Sequence, residues 1–246
     1  MKSNSKILFL ALVVTIWFGT GCQSQYPTSY LSSTGPNPAM VVDFESGLTV
    51  NSNLAEANHQ NNVVQSPGNI VPNGSPLLTP ALVSPGANGT GNCVHLAGSV
   101  TDPGNATYPA ALLTIPIEAG GNGRYDASLF SGIKFYIKTS PADNVGTRSF
   151  AIPIVKTSVA PAGTCALYNS CYNNFAYAYT ATNGNWQLVS IPFNTMARQS
   201  YGGAISPTTL SGTNLQDILS LQWSEGNQNV PGTVTVDFYV DEVQFF

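Results

Sequence analysis

Cys165 and Cys171 stand six positions apart in the stretch GTCALYNSCYNNFAYAY, residues 163–179, which then crowds in tyrosine, asparagine and phenylalanine. Two thiols at this spacing can clip a metal, shuttle electrons or close a disulfide loop. Zinc asks for two further soft ligands, and Cys93 and His95, two residues apart on one strand face, are the only candidates. Redox pairs usually have the tighter CxxC spacing. The choice therefore turns on compartment, because disulfides persist outside the reducing cytoplasm. Other catalytic chemistry has thinner support. A glycosidase needs two carboxylates facing each other across roughly 5 to 10 Å. Asp126, Glu118 and Glu225 are available, but no motif pairs them. His59 and His95 are the only histidines, and neither lies in a Ser/His/Asp or metalloprotease context. The AGGNG run at 119–123 precedes a strand rather than a helix, which is the wrong context for a phosphate-cradling loop. The balance leans away from an enzyme.

The N-terminus addresses the compartment. Lys2 and Lys6 flank a short polar head, and Ile7 to Phe18 form an apolar run. That run is shorter than the ~20 residues a membrane span needs, but it suits the core of a secretory signal. It ends in Gly19-Thr20-Gly21-Cys22, which resembles the bacterial lipobox, where the chain is cut and the cysteine is lipidated; Gly19 departs from the aliphatic residue usual there. The expectation is a signal peptide over 1–21 and a lipid on Cys22, with ordinary secretion as the alternative. Several acyl chains on Cys22 would hold the protein stably on a membrane face. Gln23 to Pro38, QSQYPTSYLSSTGPNP, is Ser/Pro/Gly-rich and aperiodic, and reads as a flexible tether over 22–38. The expected location is the cell envelope, lipid-anchored at the outer membrane or cell surface.

Composition agrees. Loss of Lys2 and Lys6 leaves six basic residues against twelve acidic ones. Phosphate backbones need clustered Lys and Arg, and there is no such cluster, so a nucleic-acid partner is excluded. Outside the cytoplasm a disulfide is the expected fate of Cys165 and Cys171. So short a loop would contribute roughly 2 kcal/mol by restraining the unfolded chain. With Cys22 lipidated, Cys93 is left over as a buried strand thiol.

Residues 39–246 must supply the elements that position these groups. Ile133, Phe135 and Ile137 alternate with Lys134, Tyr136 and Lys138, the period-2 pattern of a half-buried strand. The pattern recurs at Cys93–Gly98, Phe150/Ile152/Ile154, Phe175/Tyr177/Tyr179, Val189/Ile191/Phe193, Leu219/Leu221/Trp223 and Val234/Val236/Phe238/Val240. Helix is confined to one turn near Thr213–Leu219, and Asn51–Asn92 reads as long loops around one or two early strands. Many short strands at near-regular spacing predict an all-β fold, a single β-sandwich of jelly-roll type.

Four stretches carry a family resemblance: Asp43-Phe44-Glu45-Ser46-Gly47, Tyr125 to Phe135, Trp186 to Phe193 and Val240 to Phe245. In order and spacing they resemble the galactose-binding-domain-like jelly rolls, in particular family 11 carbohydrate-binding modules and the related complex I intermediate-associated fold, over roughly residues 40–246. The resemblance implies a non-catalytic module that holds a poly- or oligosaccharide on a concave sheet face, often with a structural calcium. It brings the first and last strands together and carries the calcium role to Glu45 and Asp241, with Asp43 beside them, since a hard cation takes six to eight oxygens. The alternative is that Asp43, Asp237 and Asp241 are exposed strand-end carboxylates.

Sugar rings present apolar C–H faces edged by hydroxyls, which suits flat aromatics beside amide, carboxylate and guanidinium groups. Arg198 and Tyr201 follow Ile191-Pro192-Phe193, where the family pattern also places an arginine and a stacking tyrosine. The family has an acidic residue just before that tyrosine; here it is Ser200, which counts against β-glucan specificity. Gln222 opposes Leu221 and Trp223 and so belongs on a face, with Glu225 reaching towards its rim. Tyr136, Tyr177 and Tyr179 lie in aromatic stripes at strand spacing, which serve packing more often than ligands; Tyr177 and Tyr179 are retained as candidates for both uses. Two functions remain open: a monomeric glycan-binding lipoprotein, and a structural or protein-interaction lipoprotein of the same fold. A polysaccharide-active enzyme comes third.

Overall fold

Alternating apolar residues pair into strands that bury one side chain in two. The computed structural model describes residues 40–45, 47–48, 64–66, 78–89, 91–102, 110–117, 124–158, 163–198, 208–226 and 232–246. The signal, the tether, Cys22, His59, Glu118 and Tyr201 lie outside the described residues. The chain divides into residues 1–35 and a unit spanning Pro36–Phe246, which holds every described residue.

In chain order the strands are β1 (Met40–Val42), β2 (Val64–Ser66), β3 (Ala81–Val83), β4 (Cys93–Asp102), β5 (Ala110–Pro116), β6 (Gly132–Thr139) and β7 (Thr147–Ile152). A short helix, α1 (Cys165–Tyr168), precedes β8 (Phe175–Ala178), β9 (Gln187–Pro192), β10 (Ala197–Arg198), β11 (Ser220–Gly226) and β12 (Gly232–Phe245). They form two antiparallel sheets. The first runs β3-β4-β12-β6-β9, with β1 also on β12; the second runs β10-β8-β7-β11-β5-β2. The chain crosses repeatedly from one sheet to the other, so the fold is the jelly-roll β-sandwich that the alternation implies. The turn near Thr213–Leu219 is a 3₁₀ stretch, Gly212–Asp217. The strand at Ala110–Pro116 was not legible: AALLTIP is a mixed apolar run without alternation.

The sheets meet through aromatic packing. Phe135 on β6 lies 5.0 Å from Phe150 on β7 and 5.1 Å from Trp223 on β11, while Phe150 and Trp223 are 5.0 Å apart between ring centroids. All three are fully buried. Edge-to-face and tilted ring pairs of this kind add to the area they bury. The longest strand, β12, buries Val234, Val236, Phe238 and Val240, then shifts register between Asp241 and Gln244 before burying Val243 and Phe245. Glu242, at the shift, takes a left-handed φ of 47°. A bulge of this kind re-aims side chains at the end of a ladder.

Truncation at the meeting point has a defined expectation. Trp223→Ala should lower unfolding free energy by about 3 to 5 kcal/mol in urea melts. Trp223→Phe should cost much less, because the buried indole N–H has no hydrogen-bond partner to lose. Equal losses for the two variants would contradict this packing.

Candidate functional site

The outer face of the second sheet is read from its register. Gln222 on β11 stands opposite Thr114 on one side and Ala151 on the other, and Ala151 continues through Ala176 to Ala197. The next row outward is Leu112, Ser224, Ser149 and Ala178. Gln222 Nε2 donates to Thr114 Oγ1 at 3.2 Å. The described outward positions of β5, β7, β8, β10 and β11 carry hydroxyl, amide and small apolar groups, with neither a charge nor an aromatic ring. The result is a neutral sheet face on which Gln222, Ser224 and Ser149 are half-buried, while Thr114 and Ala151 are buried.

Gln222 therefore sits on the face as the sequence implies, but the other candidates separate from it. Trp223, Phe150 and Tyr177 share an inward row, and Tyr177 is partly exposed only because β8 lies near the sheet's edge. Arg198 pairs with Phe175, which places it on the inner side of β10. Tyr201 lies outside the described residues.

Glu225 and Tyr179 need the plainest correction. Rather than reaching a rim, Glu225 is fully buried beneath the sheet, and the Tyr179 hydroxyl donates to its Oε1 at 2.9 Å. Arg148, opposite Glu225 on β7, places Nε 3.7 Å from the same oxygen and donates through Nη2 to Asp143. Asp143 Oδ2 in turn accepts the Asp237 backbone N–H of the first sheet at 2.9 Å, so the cluster ties the two sheets together. Burial pushes the Glu225 carboxyl up to about 9; the hydrogen bond and charge of Asp143 add to the rise, while Tyr179 and Arg148 oppose it. The reason for the correction is parity: Leu221, Trp223 and Glu225 occupy one stripe, so the alternation that turns Gln222 outward turns Glu225 in. Arg148 and Asp143 were missed, although Arg148 falls two residues before Phe150 on the same inward stripe.

The acidic ends do approach each other. β1 pairs with the last turn of β12, Met40 opposite Gln244 and Val42 opposite Val243, which brings Asp43 and Glu45 to Asp241 and Glu242. The buried Asp241 accepts the Ala87 N–H at Oδ2 (2.7 Å) and the Glu242 N–H at Oδ1 (2.8 Å). Its carboxyl is pushed up to about 7, first by burial, with Glu242 and Glu45 adding and the two N–H groups opposing. Burial, Asp43 and Glu45 raise Glu242 too. Ala87 and Asn92 close over the cluster, since the Asn92 N–H donates to Glu45 Oε1 at 3.2 Å. Gly91, at φ 31°, leaves room for that carboxylate, which a Cβ there would meet at 1.7 Å. The donor set is all oxygen, as a hard cation requires. Among the described residues, no three His, Cys, Asp or Glu side chains converge as a ligand group. Glu242 was not anticipated, because strict alternation sends it to the face opposite Asp241 and only the register shift there interrupts that pattern.

The cysteines and His95 resolve separately. Cys165 and Cys171 form a disulfide. Cys93 is buried, its thiol 3.5 Å from the Val83 carbonyl and pushed up to about 11 chiefly by burial. His95 Nε2 contacts Asp237 Oδ1 at 2.8 Å and its ring stacks on Tyr239 at 4.1 Å, so it turns to a carboxylate and a ring rather than to the thiol. Lys138 Nζ lies 3.9 Å from the centre of the Tyr239 ring and 4.9 Å from that of Trp186. This ladder lies half-buried across the outer face of the first sheet.

No protein-family model matches the chain, and no curated protein matches it. Among solved structures it is similar to the family 11 carbohydrate-binding module from Clostridium thermocellum in complex with a β-1,3-1,4-mixed-linked tetrasaccharide. The identity is 21% and the TM-score 0.45, over 69% of this chain and 82% of that one. The family 11 module of a cellulosomal cellulase of Clostridium thermocellum is similar at 20% identity and TM-score 0.44, over 69% and 81%. A family 30 carbohydrate-binding module follows at 16% and 0.43, over 69% and 76%.

The buried acid makes stability depend on pH. Its folded pKa lies above the ordinary 4.5, so the folded chain keeps a proton that the unfolded chain loses, and stability falls as pH rises from that range to about 9. In Glu225→Gln, which keeps a neutral group there, the melting temperature should decline less steeply across this window. Parallel pH profiles for the two proteins would contradict the assignment.

Proposed function

We propose that this protein is a non-catalytic carbohydrate-binding lipoprotein, anchored through Cys22 in the cell envelope, that holds a neutral poly- or oligosaccharide on the outer face of its second sheet. The observation that carries the reading is the uncharged outward side of the second sheet, where the half-buried Gln222, Ser224 and Ser149 offer amide and hydroxyl partners and Thr114 and Ala151 lie buried between them. The four family-like motifs support it, as does the small complement of charged residues, 8% of the chain. Tyr201, carried over from the family pattern, completes the ligand set in this proposal, while Arg198, on the inner side of β10, is left out of it. A second reading, a protein-interaction lipoprotein without a glycan, is favoured by one observation: the described part of the face bears no stacking ring.

We also assign a structural calcium to Glu45, Asp241 and Asp43. The ion would offset the negative charge at the junction of the first and last strands, where Glu45 and Glu242 help to raise the Asp241 carboxyl. It would fix the strand ends and take no part in chemistry.

Two experiments check these assignments. Affinity electrophoresis through gels containing mixed-linked β-1,3-1,4-glucan, xyloglucan or agarose should retard the full chain on at least one matrix. Gln222→Ala and Tyr201→Ala should each weaken retention about tenfold, roughly the worth of one hydrogen bond or one stacked ring. A well-folded protein that no matrix retards favours the second reading. Separately, EDTA should lower the melting temperature and added calcium restore it; an unchanged melt would rule the cation out.

A further inference from the structure

The disulfide-closed segment between β7 and β8 has a firmly anchored base and an apolar crown. At the base, Cys165, Ser170 and Asn173 are buried. Thr164 N–H donates to the Val155 carbonyl (2.8 Å), Cys165 N–H to Ser158 (3.0 Å) and Tyr172 N–H to Thr157 (2.8 Å). Ser170 Oγ donates to the Lys156 carbonyl at 2.5 Å. With the Cys165–Cys171 bond, these contacts fix the underside to residues 155–158. The crown faces solvent: Leu167 is 81% exposed, Tyr168 43% and Tyr172 45%. The backbone at Asn169 and Tyr172 is left-handed, at φ 50° and 64°, a conformation uncommon for a tyrosine and kept only where the surroundings over-determine it.

We infer that this crown is a ligand-contact lip, in which Tyr168 and Tyr172 stack on a neutral polysaccharide chain while the disulfide positions them. The inference rests on the glycan-binding reading above and extends its site. No residue from Gly163 to Tyr179 is charged, so the lip suits an uncharged ligand and lacks the basic residues that an anionic membrane surface would draw. Tyrosine rings with polar edges, next to the exposed Asn169 and half-buried Asn174, match the C–H faces and hydroxyls of sugars. The lip also stands where it can extend the face. It feeds β8, whose first residue Phe175 pairs with Arg198, and whose outward residues Ala176 and Ala178 complete the neutral rows beside Gln222 and Ser224.

The test uses the full chain on the same three polysaccharide gels. Tyr168→Ala, which leaves Tyr172 and the disulfide intact, should weaken retention about threefold, and Tyr168→Ala with Tyr172→Asn about tenfold, because asparagine tolerates the left-handed backbone. Cys165→Ser with Cys171→Ser should match the double tyrosine variant while remaining folded by circular dichroism. If the wild type is retarded and Tyr168→Ala is not weakened, the lip is overturned and the glycan reading stands. If no gel retards the wild type, both fall. Sedimentation with phosphatidylcholine vesicles that is lost in Leu167→Ser, with gel retention unchanged, would overturn the lip by assigning the crown to lipid.

Discussion

The contact of Phe135 with Phe150 and Trp223 is the constraint from which the rest of the sandwich follows. It joins β6 of one sheet to β7 and β11 of the other. Because side chains alternate along a strand, fixing Trp223 inward fixes Gln222 and Ser224 outward and Glu225 inward. A one-residue slip of β11 would exchange the face for the core. The packing of three rings therefore decides which residues of the second sheet turn outward.

The same parity explains the charged cluster one step further along the strands. Arg148 and Glu225 follow Phe150 and Trp223 in register, so they enter the interior together and must satisfy each other there. A buried pair of this kind is stable only when its remaining polar atoms find partners. Asp143 and the Tyr179 hydroxyl supply part of that set, Glu225 Oε2 and Arg148 Nε having no hydrogen-bond partner, and burial pushes the Glu225 carboxyl up to about 9. At the opposite end of β12 the bulge at Asp241 gathers acids instead, where β1 closes the ladder.

Much of this was legible in the residues, and the failures have physical reasons. Period-2 alternation located β4, β6, β7, β8, β9, β11 and β12, because each has one face in the core. β5 escaped because its outward Leu112 is as apolar as its inward neighbours. The outward placement of Gln222 was legible from Leu221 and Trp223, yet Glu225 was misplaced because its charge was weighed above its parity. The disulfide followed from the compartment. The exposed crown it carries did not, since exposure of Leu167, Tyr168 and Tyr172 depends on how Ser170 and Asn173 anchor the loop from below. Glu242 depends on a bulge that a sequence pattern does not announce.

If the outer face of the second sheet is the binding surface, a ligand should leave its mark along the register rows. Amide chemical-shift mapping of the isotope-labelled chain, titrated with a retained neutral oligosaccharide, tests this directly. The account predicts shifts grouped at Thr114, Gln222, Ser224, Ala151 and Ala176 and extending into residues 165–172. Shifts confined to His95, Lys138 and Tyr239 on the opposite sheet would contradict it.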